Sequence, residues 1–248
     1  MSADGDGYDR RAMVSQQPQR PAFNARMHQG GKLSFRARVQ DGVGQAGDRL
    51  VIGGDDPPAL DALVPAGFAA VEIEIGPGKG AFVLAATAAK PDTFLLGIEA
   101  AHGYAELAAA RLLQAGRKNG LLLVDNGKLF LQDRVADGAL AAVHVYFPDP
   151  WPKRRHAGRR FFTADVPAVL ARVLRPDGFC YVATDNPAYA GQIVRVLGAS
   201  TTFARDEAEE ARVQQLGAGH AFTPTNFERK YVEQGRVIRR YAFRRLPS

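Results

Sequence analysis

Short apolar segments alternate with longer segments of helical periodicity from residue 70 onward, and this pattern constrains the fold more than any other. Strands buried on both faces read as continuous apolar runs, and parallel neighbours must be joined by a crossover that is usually a helix. The alternation therefore predicts an α/β fold whose mostly parallel sheet carries helices on both faces. The predicted strands are residues 71–75, 93–98, 121–124, 142–147 and 179–183, with helices at 80–89, 102–115, 163–174 and 187–197 and candidate edge strands at 201–204 and 237–243.

Residues 1–55 differ from the rest of the chain because they are rich in Gly, Gln, Asp and Arg and have little hydrophobic periodicity. Such a composition favours a flexible N-terminal extension, so residues 56–248 are predicted to form the folded domain. No apolar run reaches the roughly 18 residues of a membrane-spanning helix, so no membrane segment is expected. The acidic, polar start of the chain is unlike a secretory signal. The single cysteine, Cys180, excludes an internal disulfide and favours a cytoplasmic location.

An acidic residue, the only tryptophan and five cationic side chains are concentrated in residues 147–160, directly after a predicted strand. Functional groups of open α/β sheets gather just beyond the carboxyl ends of strands. The formal net charge of +6 also favours an anionic partner. We therefore predict a site for a base attached to a phosphate backbone, in which Asp149 is the acid and Trp151 either stacks on a base or anchors the core. The cations are candidate phosphate contacts, with a solvated surface as the alternative: Lys153, Arg154, Arg155, Arg159 and Arg160.

A glycine-rich loop directly follows the first predicted strand and opens the first predicted helix. Its pattern is G-x-G-x-G, formed by Gly76, Gly78 and Gly80, and Glu74 precedes it. A dinucleotide site would normally show G-x-G-x-x-G, with a pyrophosphate at the helix N-terminus. A carboxylate suits a cationic ligand better, such as the ammonium and sulfonium groups of S-adenosylmethionine. An ordinary glycine-rich turn is the alternative.

Two further polar residues follow the second and third predicted strands. Glu99 lies 25 residues after Glu74, close to the separation at which such folds place a ribose-binding carboxylate. Asn126 is placed to bond an adenine edge. The alternatives are a helix cap for Glu99 and a turn residue for Asn126, which is flanked by Asp125 and Gly127. Glu74 and Glu99 together favour a nucleoside cofactor.

These motifs, in this order, resemble those of the bacterial tRNA (guanine-N7)-methyltransferase family, a group of class I S-adenosylmethionine-dependent enzymes. The resemblance implies a Rossmann-like class I methyltransferase fold with a seven-stranded sheet. It also implies S-adenosylmethionine as the cofactor, tRNA as the partner and methylation of a variable-loop guanine. The residues that carry it are 74–80, 97–99, 147–160, 183–185 and 225–228.

The resemblance also implies roles for individual residues. Glu74, Glu99 and Asn126, with the loop glycines, are expected at the cofactor, and Asp149 is expected between cofactor and base as the catalytic residue. Gly158 stands where the family usually has a basic residue, and the segment 235–241 lacks the family's usual tryptophan and acid. The expected substrate contacts are Lys153, Asp185, Thr225, Asn226, Phe227 and Glu228; Asn226 also replaces a basic residue, and Asp185 has helix capping as its alternative.

Guanine N7 carries a free lone pair, so its methylation requires no general base and depends mainly on alignment with the methyl donor. Asp149 is expected to accept hydrogen bonds from guanine N1–H and N2–H, and to favour the positive charge that develops on the base.

Other functions remain open from the sequence: methylation of another RNA or of an exocyclic amine, nicotinamide-dependent redox chemistry, and noncatalytic RNA binding. Enzymes acting on exocyclic amines carry two prolines and an aromatic residue after the acid, whereas one proline separates Asp149 from Trp151. Nicotinamide-dependent enzymes normally carry the longer pattern G-x-G-x-x-G, which this chain lacks. His144 and His156 show no metal-ligand spacing, so no metal is expected. The oligomeric state is left open between monomer and homodimer.

Overall fold

An eight-stranded sheet forms the centre of the protein in the computed structural model, which describes residues 47–54, 56–215, 220–221 and 226–247. The sheet order is β1-β4-β3-β2-β5-β6-β8-β7, in which β1 to β6 are parallel and β8 is antiparallel to both of its neighbours. The strands are β1 (Leu50–Ile52), β2 (Ala70–Ile75), β3 (Thr93–Glu99), β4 (Gly120–Val124), β5 (Leu140–Tyr146), β6 (Leu174–Thr184), β7 (Phe203–Arg205) and β8 (Arg239–Arg245).

Helices pack on both faces of the sheet, which confirms the predicted α/β architecture. One hydrophobic cluster joins one sheet face to the helices around Phe130, Leu170 and Ile193, and a second joins the other face to those around Phe82 and Leu112. No helix in the described ranges is both long and apolar enough to cross a membrane. The helices are α1 (Leu60–Leu63), α2 (Ala81–Ala89), α3 (His102–Gln114), α4 (Gly127–Asp133), α5 (Val166–Val173), α6 (Pro187–Gly198), α7 (Glu207–Gln215) and α8 (Asn226–Glu233).

The strand order reverses between β2 and β5, and this reversal determines where a ligand can bind. From β2 the chain builds towards β3 and β4 on one side, while β5 and β6 lie on the other. In open α/β sheets the crevice beyond the carboxyl ends of the strands at such a reversal is the usual ligand site. The glycine loop leaves β2 at this point, and the segment that contains Asp149 leaves β5 beside it.

The sheet has one strand more than the seven expected, because the short strand β1 pairs with β4 at one edge. Both candidate edge segments form strands, β7 and β8, but only β7 lies at the edge, because β8 pairs with β6 on one side and β7 on the other. The predicted helix at 163–174 begins later, at Val166, and Leu174 already belongs to β6, where an irregular register carries the chain past Asp177 and Gly178. Strand β1 lies inside the predicted extension 1–55, of which residues 1–46 and 55 lie outside the described residues.

Candidate active site at the central strand ends

The glycine loop after β2 has a backbone that side chains other than glycine rarely adopt. Gly76, Gly78 and Gly80 have φ angles of 70°, 54° and 72°, all in the left-handed region. A Cβ atom at Gly80 would lie 2.6 Å from Cβ of Ala108 on α3, so a larger residue there would push the loop away from that helix. The loop therefore packs closely against α3 and forms a cradle at the start of α2, in which three of the five positions carry no side chain.

Glu74 is a buried carboxyl group beneath this cradle. Its side chain is 2 % exposed, and Oε2 has no hydrogen-bond partner among the described residues. Burial, together with the nearby carboxylate of Glu99, raises the pKa of Glu74 to about 8, against a smaller opposing effect of the Val83 backbone. Buried polar atoms nearly always have a partner in folded proteins, so an unpartnered oxygen at a strand end indicates space for a ligand donor.

Glu99 ends β3 and joins the two loops beside it. Its Oε2 accepts a hydrogen bond from the Gly78 N–H at 3.0 Å, and its Oε1 accepts one from the Ala101 N–H at 2.9 Å. Burial raises the pKa of Glu99, and the Asp149 carboxylate also contributes to the rise. The Ala100 backbone also interacts with this carboxylate. A carboxylate has about four acceptor positions, so Glu99 keeps acceptor capacity for a ribose hydroxyl.

Asn126 caps the N-terminus of α4. Its side-chain oxygen accepts hydrogen bonds from the backbone N–H groups of Lys128 at 3.0 Å and Leu129 at 3.3 Å. Asn126 is therefore a helix N-cap, and its exposed side chain retains its amide nitrogen as a donor for a ligand.

The loop after β5 presents Asp149 on a strained backbone. Phe147 and Trp151 have φ angles of 50° and 39°, which are unusual for residues with side chains, and they bracket the acid. Such conformations persist only where the surrounding structure enforces them, and they cluster at functional sites. The Asp149 side chain is exposed and makes no hydrogen bond or ion pair with the residues that the structure describes. It is therefore available to a ligand.

Arg160 faces this loop rather than the solvent. Its Nε donates to the Pro150 carbonyl at 2.7 Å and its Nη2 to the Trp151 carbonyl at 3.0 Å, while Nη1 donates to Oε1 of Gln192. Its guanidinium also lies 5.6 Å from the ring centroid of Tyr189. Arg160 was predicted to contact phosphate, but all three of its guanidinium nitrogens donate hydrogen bonds within the protein. In this it differs from the exposed Lys153, Arg155 and Arg159 of the same segment.

The other cations of the basic segment lie around a short 3₁₀ helix, Arg154–Arg159. Lys153, Arg155 and Arg159 are exposed, and the Arg159 guanidinium stacks 5.1 Å from the Trp151 ring. Trp151 is half-buried and belongs to neither hydrophobic cluster, so the core-anchor alternative is wrong. The Arg154 side chain is outside the described part of the chain.

The substrate residues expected near the end of the chain are only partly described. Asp185 follows β6 and accepts a hydrogen bond from Nη1 of Arg236 at 2.6 Å, whereas Asn186 caps α6, so the capping alternative for Asp185 is wrong. Glu228 on α8 is 4 % exposed and forms an ion pair with Arg240 of β8. Thr225 lies outside the described residues; Asn226 and Phe227 begin α8, with side chains that are not described.

Helix α8 contacts the loop that follows β5, residues 147–153, which is called the Asp149 loop below. The Tyr231 ring lies 5.6 Å from the ring of Phe147, and the Arg236 guanidinium lies 4.5 Å from the Tyr231 ring. These contacts bring the Asp185 side chain and the start of the Asp149 loop to the same end of the sheet. Sequence reasoning did not single out Arg236, because nothing in its local pattern distinguishes it from the other arginines nearby.

His144 is packed inside β5, as predicted, in a buried polar cluster on the face covered by α2. Its ring nitrogens lie 2.9 Å from Oε2 of Glu72 and 2.8 Å from the Tyr146 hydroxyl. Burial lowers the pKa of His144 against the opposing effect of Glu72, while His144 and Lys90 lower the pKa of Glu72 to about 2 despite its burial. A cavity of about 120 Å³ borders this cluster. It is lined by Glu72, His144 and Tyr181 from the middle of three strands, and by residues outside the sheet: Lys90, Arg212, Val213, His220 and Ala221. These strand positions lie away from the strand ends that carry the glycine loop.

The chain is similar to known methyltransferases. The family model described as "Putative methyltransferase" matches residues 69–241. The tRNA (guanine-N(7)-)-methyltransferase of Mycolicibacterium gilvum is 33 % identical over 92 % of this chain and 89 % of the relative. That of Acidithiobacillus ferrooxidans is 33 % identical over 71 % of this chain and 75 % of the relative. Among solved structures, the 16S rRNA methyltransferase KamB is similar with a TM-score of 0.49 and 16 % identity, covering 79 % of this chain and 99 % of that one.

Proposed function

Because the chain belongs to the family of bacterial tRNA (guanine-N7)-methyltransferases, we propose that it transfers a methyl group from S-adenosylmethionine to N7 of a variable-loop guanine in tRNA. One observation supports this most strongly: three carboxyl groups and a basic segment meet at the reversal of strand order. The three acids interact electrostatically: Asp149 contributes to raising the pKa of Glu99, and Glu99 contributes to raising the pKa of Glu74. A site of this charge favours a cationic ligand.

The residues at the glycine loop fit S-adenosylmethionine. Oε2 of Glu74 is buried without a partner, which suits a donor such as the ammonium group of the ligand. Glu99 retains acceptor sites for the ribose diol, and Asn126 retains its amide nitrogen for the adenine. The three left-handed glycines leave the cradle open to a ligand that carries no phosphate. When bound, S-adenosylmethionine supplies an electrophilic methyl group on a positively charged sulfur.

Asp149 selects and holds the guanine in this proposal. Its exposed, unpaired carboxylate can accept hydrogen bonds from guanine N1–H and N2–H, a donor pair that adenine lacks. The carboxylate also favours the positive charge that develops on the methylated ring. No proton has to leave N7, so Asp149 acts by orientation and charge and not as a base. Correct alignment of reacting atoms accounts for up to about 7–11 kcal/mol of a barrier in well-oriented systems.

The RNA backbone is proposed to lie across the exposed cations next to Asp149. Lys153, Arg155 and Arg159 point their charges outward around the 3₁₀ helix, and Trp151 lies beside them as a stacking surface. Phosphate contacts of this kind fix the position of a nucleic acid without reading its sequence. Asp185 and Glu228 are proposed to contact the substrate from the other side. Because Asp185 is paired with Arg236, such a contact requires Asp185 to share that partner or to release it.

We also propose a cytoplasmic location, which is supported by tRNA as the substrate and by the buried, reduced Cys180. Whether the protein acts as a monomer or a homodimer stays a prediction.

Ligand binding separates this function from the redox alternative. S-adenosylhomocysteine, which has the ammonium group and ribose diol of the cofactor, is expected to bind in a calorimetric titration, and NAD is not. The physical reason is the kind of group beneath the glycine loop: the Glu74 carboxyl can give its proton up to pair with an ammonium group, whereas it has no charge to offer a pyrophosphate except a repulsive one. Glu99→Ala is the matched variant, and it should weaken S-adenosylhomocysteine binding at least 10-fold by removing the diol acceptor. Binding of NAD with comparable affinity would contradict the proposal.

A further inference from the structure

The Asp149 loop cannot hold its own shape with backbone hydrogen bonds. Pro148, Pro150 and Pro152 have no N–H groups to donate, and two residues of the loop have left-handed backbones. Phe147 donates its N–H to the Ala183 carbonyl at 2.7 Å, which secures only the start of the loop. The part that follows Asp149 therefore needs a partner from elsewhere in the fold.

Arg160 supplies that partner. We propose that Arg160 is a positioning residue, which holds the Asp149 carboxylate in place by binding the carbonyl oxygens of Pro150 and Trp151. The two carbonyls follow Asp149 directly, and the guanidinium binds both at once through Nε and Nη2, at 2.7 and 3.0 Å. A planar guanidinium presents its donors in a fixed fork, so a paired contact of this kind fixes both the distance and the orientation of the loop. The inference rests on the proposed function, because the position of Asp149 matters for the reaction only if Asp149 contacts the base.

The Arg160 side chain is itself held in place by two residues of helix α6, Gln192 and Tyr189. Its Nη1 donates to Gln192, whose own amide nitrogen donates to the Phe162 carbonyl at 2.7 Å. Beneath the guanidinium lies the ring of Tyr189, which is buried and accepts a hydrogen bond from the Phe162 N–H at 3.3 Å. The loop is thus tied through one side chain to the rigid part of the domain. The exposed Arg155 of the same basic segment has no such framework.

The alternative role for Arg160 is a phosphate contact, like that proposed for Arg155, and kinetics distinguish the two. Arg160→Ala is expected to lower kcat about 100-fold, since a small misplacement of a reacting group has an effect of that size. The Kd for tRNA and its dependence on salt should stay unchanged. Arg160→Lys should remain close to the alanine variant, because an ammonium group cannot bind both carbonyls as the fork does. At a phosphate contact, lysine would preserve most of the binding.

Three further variants serve as controls. Arg155→Ala should weaken tRNA binding. It should also reduce the slope of log K against log salt by roughly 0.7–0.9, which is the contribution of one phosphate contact. Gln192→Ala should lower kcat in the same direction as Arg160→Ala, and the double variant should lose little more than Arg160→Ala alone. Arg195→Ala removes an exposed arginine from the same helix as Gln192 and should leave kcat unchanged. The proposal is overturned if Arg160→Ala behaves like Arg155→Ala, with weaker binding, a flatter salt slope and unchanged kcat.

Trp151 provides a readout that does not depend on activity, since it is the only tryptophan in the chain and lies in this loop. In the absence of tRNA and cofactor, Arg160→Ala and Gln192→Ala should shift its emission and increase its quenching by acrylamide, whereas Arg195→Ala should not. Unchanged emission in Arg160→Ala would overturn the positioning role even if the kinetics agreed. If instead the wild-type protein methylates no tRNA while Trp151 responds as expected, the proposed function fails and the loop contact stands.

Discussion

Asp149→Ala is expected to lower turnover of tRNA by about 100- to 1,000-fold, the range observed when one charge-stabilising group is removed from an active site. The protein should remain folded, because the Asp149 side chain is exposed and has no hydrogen bond or ion pair with the described residues. The tRNA Kd should change little, since backbone contacts from the basic segment dominate affinity. Steady-state kinetics, with thermal unfolding as the check on folding, measure both effects.

Asp149→Asn separates the two roles of the carboxylate. The amide keeps an acceptor oxygen of similar position but removes the negative charge, so it should retain part of the hydrogen bonding to the base and none of the charge stabilisation. An intermediate turnover is therefore expected. Wild-type turnover in Asp149→Ala would show that the base is held by other groups.

The second large effect is on the pH dependence of stability, to which the buried carboxyl group of Glu74 should contribute. Its pKa in the folded protein is about 8, well above the ordinary value of 4.5, because the carboxyl is buried and lies near Glu99. A folded-state pKa raised in this way means that the folded protein binds a proton more tightly than the unfolded chain. The stability contribution of Glu74 is therefore fully present below about pH 4.5 and is lost as the pH rises through about 8. Over that window the free energy of unfolding should fall by up to about 1.4 kcal/mol per pH unit from this group.

Glu74→Gln is the variant that isolates this effect, because glutamine is neutral at every pH and similar in size. Subtracting its stability profile from that of the wild-type protein removes the contributions of Glu72 and His144, which lie in the adjacent cluster, and leaves Glu74 together with its coupling to Glu99. The difference should be largest above pH 8, where the wild-type protein carries a buried charge. Profiles that run parallel between pH 5 and 9 would show that Glu74 is not buried as a neutral acid.

Cofactor binding should remove the same proton. A cationic group beside Oε2 favours the ionised carboxylate, so binding at pH 7 is expected to release close to one proton from the wild-type protein and fewer from Glu74→Gln. Calorimetric titrations with S-adenosylhomocysteine in two buffers of different ionisation enthalpy measure that number directly.

The central part of this fold follows from the sequence for physical reasons. Parallel strands buried on both faces are continuous apolar runs, and the helices between them have a distinct period, so the predicted bounds of β2 to β5 lie within two residues of the observed ones. For β6 only the part from residue 179 was predicted, because residues 174–178 include Pro176 and Gly178 and do not form an apolar run. The glycine loop could also be predicted, because left-handed backbone restricts the residue type. Strand β1 could not be predicted, since three residues are too few to show the alternation of apolar and polar side chains or a long apolar run.

Helix α7 shows a second reason why sequence patterns miss elements. Its sequence is dominated by charged residues and resembles a solvated surface, but Glu209 and Glu210 are buried. Glu209 accepts a hydrogen bond from the Tyr181 hydroxyl at 2.6 Å, and Glu210 is bound by Arg205 and by the Ala242 N–H. These partners come from β6, β7 and β8, so the burial depends on tertiary contacts that the local sequence does not contain.

The same limit applies to the candidate site. The acids Glu74, Glu99 and Asp149 could be placed from the strand ends that precede them, and the structure brings their loops together. The inward orientation of the Arg160 side chain could not be predicted, because in the sequence Arg160 is one of five similar cations. Only the positions of Gln192, Tyr189 and the Pro150 carbonyl turn it inward.

The central claim is that this protein methylates N7 of a guanine in tRNA, and analysis of the product nucleosides tests it most directly. tRNA that lacks modifications is incubated with the protein and methyl-labelled S-adenosylmethionine, digested to nucleosides and examined by mass spectrometry, with Asp149→Ala as the matched control. The account predicts label in 7-methylguanosine, mapping to the variable loop, and a large reduction of that label with the variant. Absence of labelled 7-methylguanosine, or label in a different nucleoside, would contradict it.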